Sequence, residues 1–193
     1  DHTDFDTNLI WDNALRSMNM ADLVKNLQLT YVLPTQAVAR EPKPQKVALI
    51  AHLYYMDLLE PTLAYARSMP EGTDFILTVG SQEKVELVEA ACKDLPYNVT
   101  VRLIENRGRD VSALLVGCKD IVSDYDLVCF IHDKKVTQLS PYTVGEGFAR
   151  KCFDNLLPTR EFVENVISTF DSEPRLGLLS PTPRSEEHTS ELQ

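Results

Sequence analysis

The chain has 193 residues, of which 44% are apolar and 25% are charged, as in an ordinary globular domain. Its formal net charge of −10 argues against general nucleic-acid binding, which needs basic residues to displace counterions from phosphates. The apolar runs are much shorter than the roughly 20 residues of a membrane helix, and the first residues do not resemble a secretory signal. These features predict a cytoplasmic protein without a transmembrane segment in this chain.

Residues 1–33 predict two short helices and an extended piece, which we interpret as the tail of a preceding helical region. The apolar side chains of the first helix recur on one helical face: Leu9, Ile10, Ala14 and Leu15. Residues 20–27 repeat this spacing, and residues 29–33 resemble a short strand. Residues 34–45 contain three prolines and few apolar residues, which is typical of a linker.

Residues 46–183 form the main predicted domain, in which strands alternate with helices. Residues 47–53 are a nearly continuous apolar run, as expected for a strand that is buried on both faces. Further strands are predicted at 75–79, 99–104, 127–131 and 176–179, and helices at 58–69, 82–95, 111–122, 148–157 and 161–170. The alternation predicts an α/β fold with a mostly parallel sheet flanked by helices.

The last ten residues, 184–193, differ from the rest of the chain. They show no apolar periodicity and resemble the translation of a common sequencing adapter, so we predict that they are not native sequence. A genuine acidic tail is the alternative. On the adapter interpretation, the main domain is truncated at its C-terminus after Pro183.

The four cysteines lie in apolar segments and have no CxxC spacing: Cys92, Cys118, Cys129 and Cys152. This pattern predicts buried free thiols in a reducing compartment. Metal binding or disulfide formation is the alternative.

Polar side chains follow three of the predicted strands. The first strand ends in residues 52–57, which include His52, Tyr54, Tyr55 and Asp57; residues 105–110 follow the third strand, and residues 132–135 follow the fourth. Because the carboxyl ends of parallel strands lie at one edge of a sheet, these residues predict a ligand site. Structural roles are the alternatives: His52 as a core histidine and Asp110 as a helix N-cap.

The residue types at this edge favour an anionic ligand. Arg107 and Arg109 provide planar guanidinium groups that suit phosphate oxygens. Gly108 between them permits close backbone approach. Lys134 and Lys135 add positive charge in an otherwise acidic chain, although two adjacent lysines alone usually lie on a solvated surface.

The segment Glu105-Asn-Arg-Gly-Arg-Asp110, followed by Tyr125-Asp-Leu-Val-Cys-Phe-Ile-His-Asp-Lys-Lys135, resembles the rhamnan synthesis protein F family. The resemblance extends over residues 46–183. It implies a bacterial glycosyltransferase with a GT-A-like, Rossmann-like nucleotide-sugar domain. The implied donor is dTDP-L-rhamnose, and the implied acceptor is a lipid-linked polysaccharide at the inner face of the cell membrane.

The resemblance also implies which residues form the site. The donor would be bound by His52, Asn106, Arg107, Gly108, Arg109, Asp110, His132, Lys134 and Lys135. The order of parts is similar to that of inverting family 2 glycosyltransferases, whose strand-end loop is matched by Asn106 and Gly108. Asp133 would contact the donor or a metal, and Glu146 is the candidate general base, unless the base lies beyond residue 183.

One position departs from the pattern of those enzymes. Where they carry a metal-binding Asp-x-Asp, this chain has His132-Asp133-Lys134, with a single carboxylate. A requirement for Mg²⁺ or Mn²⁺ therefore stays open, because such hard cations prefer several oxygen ligands. The favoured interpretation is that Lys134 and Lys135 neutralise the leaving diphosphate directly.

Two other classes of function are alternatives. The same edge could bind glycan or nucleotide without catalysis, as a module of a larger polysaccharide-synthesis protein. A different nucleotide-binding enzyme, such as a dehydrogenase, is disfavoured because no G-x-G-x-x-G motif follows the first strand and no P-loop is present.

Overall fold

The computed structural model describes residues 6–19, 22–23, 31–105, 107–135 and 142–181. The chain divides into two compact units, one of Asp1–Val32 with Ser180–Gln193 and the other of Leu33–Leu179. In the smaller unit, helix α1 (Thr7–Ser17) begins after Asp6, whose carboxylate accepts hydrogen bonds from two backbone N–H groups of the first turn. This helix confirms the first helical prediction. Most of the second predicted helix and the tail at 184–193 lie outside the described residues. Of the strand predicted at 29–33, residues 31–33 are described and form no strand, so this prediction is wrong there.

The larger unit is built on a four-stranded, all-parallel sheet in the order β3-β2-β1-β4. The strands are β1 (Val47–His52), β2 (Asp74–Val79), β3 (Asn98–Leu103) and β4 (Leu127–His132). The central strand β1 is buried along its whole length, and β2 is buried except at its first residue. Their continuous apolar sequences suit this position, because both faces of a central parallel strand are covered. The prediction of an α/β fold with a parallel sheet is confirmed.

Helices cover both faces of the sheet. They are α2 (Leu59–Ala66), α3 (Gln82–Cys92), α4 (Arg109–Leu115), α5 (Tyr142–Asp154) and α6 (Arg160–Ser172). Apolar side chains of α2, α3 and α6 pack with one face in a large core that includes Leu49, Phe75 and Leu77. The opposite face packs with α4 and the residues after it, around Ile50, Ile76 and Cys118. None of the helices in the described ranges has the length and apolar character that a membrane span requires.

Three predicted elements differ from the structure. The helix predicted at 148–157 begins six residues earlier and ends three residues earlier, as α5 (Tyr142–Asp154). The helix predicted at 111–122 begins at Arg109 and ends at Leu115, and turns with a 3-10 helix at Val122–Asp124 follow it. The fifth strand predicted at 176–179 is wrong, because these residues pair with none of the described strands. Leu178 is 79% exposed. A short apolar run does not by itself specify a strand.

The proline-rich segment at 34–45 is attached to α6 rather than free of contacts. The side chain of Asn165 accepts a hydrogen bond from Ala39 N at 2.7 Å and donates to Pro34 O and Ala37 O at 2.8 and 2.9 Å. Asp171, on the same helix, accepts from Lys43 N at 2.7 Å. These side chains bind backbone groups that have no partner in a strand or helix.

Candidate functional site

The ends of β1 and β4 form the centre of the candidate site. The two strands are neighbours, and their last residues, His52 and His132, are partners in the strand register. Because the strands are parallel, the loops that follow them leave the sheet at the same edge. The topology therefore brings together the polar residues that follow the first and fourth strands.

Asp133 is buried at this edge, and its carboxylate is hydrogen-bonded to the backbone of the loop after β1. The side chain is 6% exposed, and Oδ2 accepts hydrogen bonds from Tyr54 N at 2.8 Å and from Tyr55 N at 2.5 Å. Burial raises the pKa of Asp133, although the two backbone hydrogen bonds act in the opposite direction. Oδ1 is buried and has no hydrogen-bond partner within the described residues. Asp133 thus holds the loop after β1 against the end of β4.

The described residues contain no group of three or more His, Cys, Asp and Glu side chains that could hold a metal ion. The carboxylate at the Asp-x-Asp position is also bound to the backbone through one oxygen. This donor set does not fit a divalent cation that prefers several oxygen ligands. A requirement for Mg²⁺ or Mn²⁺ stays an open prediction.

His52 is a buried histidine bonded to the neighbouring strand. It is 5% exposed, and its Nδ1 lies 2.9 Å from Thr78 Oγ1 on β2. Burial lowers the pKa of His52, which favours the neutral imidazole. The side chain offers little surface to a ligand, so its role in donor binding remains a prediction and its contact with Thr78 is structural.

His132 joins the end of β4 to the start of α4. Its Nδ1 lies 3.1 Å from Asp133 O, and because a carbonyl oxygen only accepts, Nδ1 carries the proton in this contact. Its Nε2 lies 3.7 Å from Asp110 Oδ2. Asp110 follows the edge strand β3 in sequence, yet it lies beside the end of β4, so the start of α4 is displaced across the carboxyl edge of the sheet.

The backbone is unusual where the loop after β3 enters α4. Gly108 has φ +89°, and Arg109 has φ +57°, a left-handed conformation that side chains other than glycine rarely adopt. A Cβ at Gly108 would lie 2.8 Å from Ser112 Cβ. Such strain is commonly found at functional sites, so the geometry is consistent with the role predicted for this segment.

Arg107 lies apart from the His52–His132 pair, at the open edge of the sheet beside β3. It lines a cavity of about 470 Å³. Other residues of this cavity include Arg102, Leu103, Glu105, Ser112 and Val116. Arg102 is bound to Asp120 at 2.9 Å, whereas Arg107 forms no ion pair with another described residue. Arg107 and Asp110 are close in sequence, but they lie at different parts of the edge. Arg107 lines the cavity beside β3, whereas Asp110 lies next to His132 at the end of β4.

Two aromatic residues and two lysines surround the loop after β1. The rings of Tyr54 and Tyr55 meet edge to face, with centroids 4.8 Å apart. Lys84 Nζ lies 4.6 Å from the Tyr54 ring centroid, and Lys135 Nζ lies 5.1 Å from that of Tyr55. Lys135 also pairs with the exposed Asp57. Of the two predicted lysines, Lys135 is therefore placed at this loop, and Lys134 is exposed.

Two predicted site residues cannot be placed. Asn106 lies outside the described residues. Glu146 lies in α5, but its side chain is outside the description. Their roles as donor ligand and general base stay predictions.

Sequence reasoning placed Tyr54 at the end of the first strand without assigning it a role, and it missed Thr78 and Lys84. Tyr54 and Thr78 contact predicted residues through chain separations of 79 and 26 residues. Lys84 gave a local signal, because it lies in the first turn of α3, where the helix dipole disfavours a positive charge. A cation at such a position can indicate an anionic ligand.

Comparison with known proteins agrees with the resemblance in the sequence. The family model described as rhamnan synthesis protein F matches residues 1–189. No curated protein and no solved structure matches the chain. Since the matched region includes nearly the whole chain, the chain belongs to the rhamnan synthesis protein F family, which is involved in the synthesis of rhamnan cell-wall polysaccharide.

Proposed function

We propose that the chain is the nucleotide-sugar domain of a bacterial glycosyltransferase that transfers rhamnose from dTDP-L-rhamnose to a growing cell-surface polysaccharide. The observation that carries this proposal is the convergence of Asp110, His132, Asp133 and Lys135 at the carboxyl edge of one parallel sheet. Ligands of open α/β sheets bind at this edge. Rhamnose itself is proposed from family membership.

The proposed reaction needs two contributions from the protein, a general base and positive charge at the leaving group. A hydroxyl oxygen of the acceptor attacks the anomeric carbon of the sugar, and the bond from that carbon to the diphosphate oxygen breaks. The hydroxyl proton passes to a general base, for which Glu146 is the candidate. The diphosphate leaves with the bonding electrons, and cations such as Lys134, Lys135 and Arg107 would stabilise its charge.

A non-catalytic binding module is the second candidate function. The observation in its favour is that Asp133, the only carboxylate at the Asp-x-Asp position, is buried and bound to the backbone. On this alternative the carboxylate only organises the loop after β1, whereas the contact of Asp133 with a donor or a metal stays a prediction. On this alternative, the edge binds a nucleotide or glycan while a neighbouring domain performs the transfer.

Ligand titration tests the nucleotide-sugar site. The chain is titrated with dTDP-L-rhamnose, dTDP-glucose, UDP-glucose and NAD, each with and without Mg²⁺ or Mn²⁺. We expect selective binding of dTDP-L-rhamnose and a weakening of about 10-fold or more in Arg107→Ala, as for a lost charge-assisted hydrogen bond. Arg67→Ala is the matched control, because this exposed arginine follows α2 at the opposite edge of the sheet.

A transfer assay then separates the two functions. A folded chain that binds no nucleotide sugar would overturn the donor site. Binding together with normal polymer synthesis by an Asp110→Asn or Arg107→Ala variant of the full-length protein would leave the non-catalytic module as the better account.

A further inference from the structure

Lys84 is a cation of the sheet edge that no motif identified. It lies in the first turn of α3, directly after β2, and its Nζ is 2.6 Å from Tyr54 O. The side chain is partly buried, and it forms no ion pair with a carboxylate in the described parts of the chain. Lys84 therefore places a positive charge near the carboxyl end of β2.

The surroundings of Lys84 differ from those of three other basic residues of the chain. Arg102, Lys135 and Arg160 each pair with a carboxylate. Lys84 instead lies near the positive end of a helix dipole and donates to a neutral carbonyl group. Such a position costs stability unless a negative group is bound there. Local choices that act against stability are expected at functional sites.

Tyr54 holds Lys84 in a defined position. Its backbone N–H donates to Asp133, and its carbonyl oxygen accepts from Lys84, so residues that follow β4 and β2 bind the same residue after β1. The ammonium group also lies over the Tyr54 ring, which is 44% exposed. The positive charge of Lys84 lowers the pKa of both His52 and Asp133, which places it in the electrostatic field of the site.

We propose that Lys84 binds the diphosphate of a nucleotide ligand, with Tyr54 as the residue that positions it. An ammonium group has three N–H donors, and the Tyr54 carbonyl takes one, so two remain for phosphate oxygens. The exposed Tyr54 ring lies beside the ammonium group, next to the position that the phosphate oxygens would occupy. This inference rests on the proposed function, because it names a contact in the nucleotide site of that reaction.

The test measures the affinity of the whole chain for dTDP and for thymidine by isothermal titration calorimetry. In Lys84→Gln we expect dTDP to bind about 10-fold more weakly or worse, since a charge-assisted contact is lost, while thymidine affinity is unchanged. Lys84→Arg is expected to recover part of the loss. Lys93→Gln is the matched control, because Lys93 is exposed at the other end of the same helix.

The outcomes separate this inference from the proposed function. Wild-type affinity for dTDP in Lys84→Gln overturns the role of Lys84 and leaves the proposed function intact. An equal loss of dTDP and thymidine affinity, with a lowered melting temperature, would show that Lys84 only stabilises the loop after β1. This result would also overturn its role in binding the diphosphate. A wild-type chain that binds neither ligand overturns the proposed function, and this inference with it.

Discussion

At the scale of single residues, Asp133 is the buried charge on which the site geometry depends. Its carboxylate fixes two consecutive backbone N–H groups, of Tyr54 and Tyr55, in the loop after β1. The ammonium groups of Lys84 and Lys135 lie over the rings of Tyr54 and Tyr55. A change at Asp133 therefore acts on ligand binding through the position of this loop.

We expect Asp133→Ala to lower the free energy of unfolding by about 2–4 kcal/mol, because two partly buried N–H groups lose their acceptor. Asp133→Asn keeps an acceptor oxygen and is expected to lose less. Urea denaturation followed by circular dichroism measures both. Asp94→Ala, at an exposed site after α3, is the control and should change stability by less than about 0.5 kcal/mol. Equal stability of the Asp133→Ala and Asp94→Ala chains would contradict the structural role.

His52 predicts a loss of stability in mild acid. Burial lowers its pKa in the folded chain below the ordinary value of 6.5, and the charges of His132 and Lys84 act in the same direction, while Asp110 opposes them. The unfolded chain therefore binds more protons than the folded chain as the pH falls through this range. Stability is full above pH 6.5 and decreases as the pH falls below 6.5 through the folded pKa.

Urea midpoints at pH 7.5 and at pH 5.5 test this expectation against His52→Gln. The wild-type chain should lose more stability than the variant between these two values, because most carboxylates titrate below this range. Only the difference between the two pH values is compared, since the substitution itself also changes the stability at neutral pH. An identical loss in both proteins would show that His52 is not the group responsible.

At the scale of elements, the approach of α4 to the end of β3 depends on a glycine. A Cβ at Gly117 would lie 2.8 Å from Ala113 O and 2.9 Å from Ile104 Cγ2. The first of these atoms is backbone and cannot move aside without a shift of the helix end. Gly117 thus permits the turn after α4 to pack closely against Ile104, the first residue after β3.

A pair of glycine substitutions tests this contact. Gly117→Ala is expected to lower the free energy of unfolding by about 1–3 kcal/mol, as for other overpacked sites. Gly147→Ala in α5 is the matched variant, because a Cβ there meets no atom of the described residues within 4 Å. It should stabilise the helix by about 0.5–1 kcal/mol, the usual preference for alanine over glycine. Thermal and urea unfolding should give opposite signs for the two variants, and a stabilised Gly117→Ala chain would contradict the packing.

The accuracy of the sequence predictions differs between elements for physical reasons. The predicted strands 47–53 and 75–79 agree with β1 and β2 within one residue at each end, because continuous burial requires continuous apolar sequence. The helix predicted at 111–122 is too long, because its apolar residues continue to pack on the sheet after the helix has ended at Leu115. Apolar spacing indicates which side chains are buried, and it does not specify the backbone that carries them.

At the scale of the whole molecule, the parallel topology explains which parts of the site were predictable. Strand ends could be placed at one edge from the order of elements alone, and this placed Asp110 and His132 near each other correctly. The partners of each side chain could not be predicted, because Asp133 binds residues 78 and 79 positions away. Lys84 was missed because the polar residues after β2, Ser81 to Lys84, also fit an ordinary helix start, and its contact with Tyr54 depends on how α3 packs.

The reactivity of the cysteines measures how often the larger unit opens, because all four lie in it. Burial raises the pKa of all four thiols, to about 11 for Cys92 and about 12 for Cys129. A thiol of pKa about 11 is only about one part in a thousand thiolate at pH 8, against roughly one part in four for an unperturbed cysteine, and the thiolate is the form that reacts. Cys92 and Cys118 are also inaccessible in the folded core.

We therefore expect iodoacetamide at pH 8 to alkylate Cys92 and Cys118 in the native chain only as fast as the larger unit opens, and all four cysteines to react rapidly in urea. Cys152, which is partly exposed on α5 near Lys151, should be the first to react and serves as the internal reference. Mass spectrometry of digested samples follows each site separately. Because Cys92 and Cys118 lie on opposite faces of the sheet, equal labelling rates would indicate that both faces open together. Rapid native labelling of Cys92 would contradict the packing of α3 against the sheet.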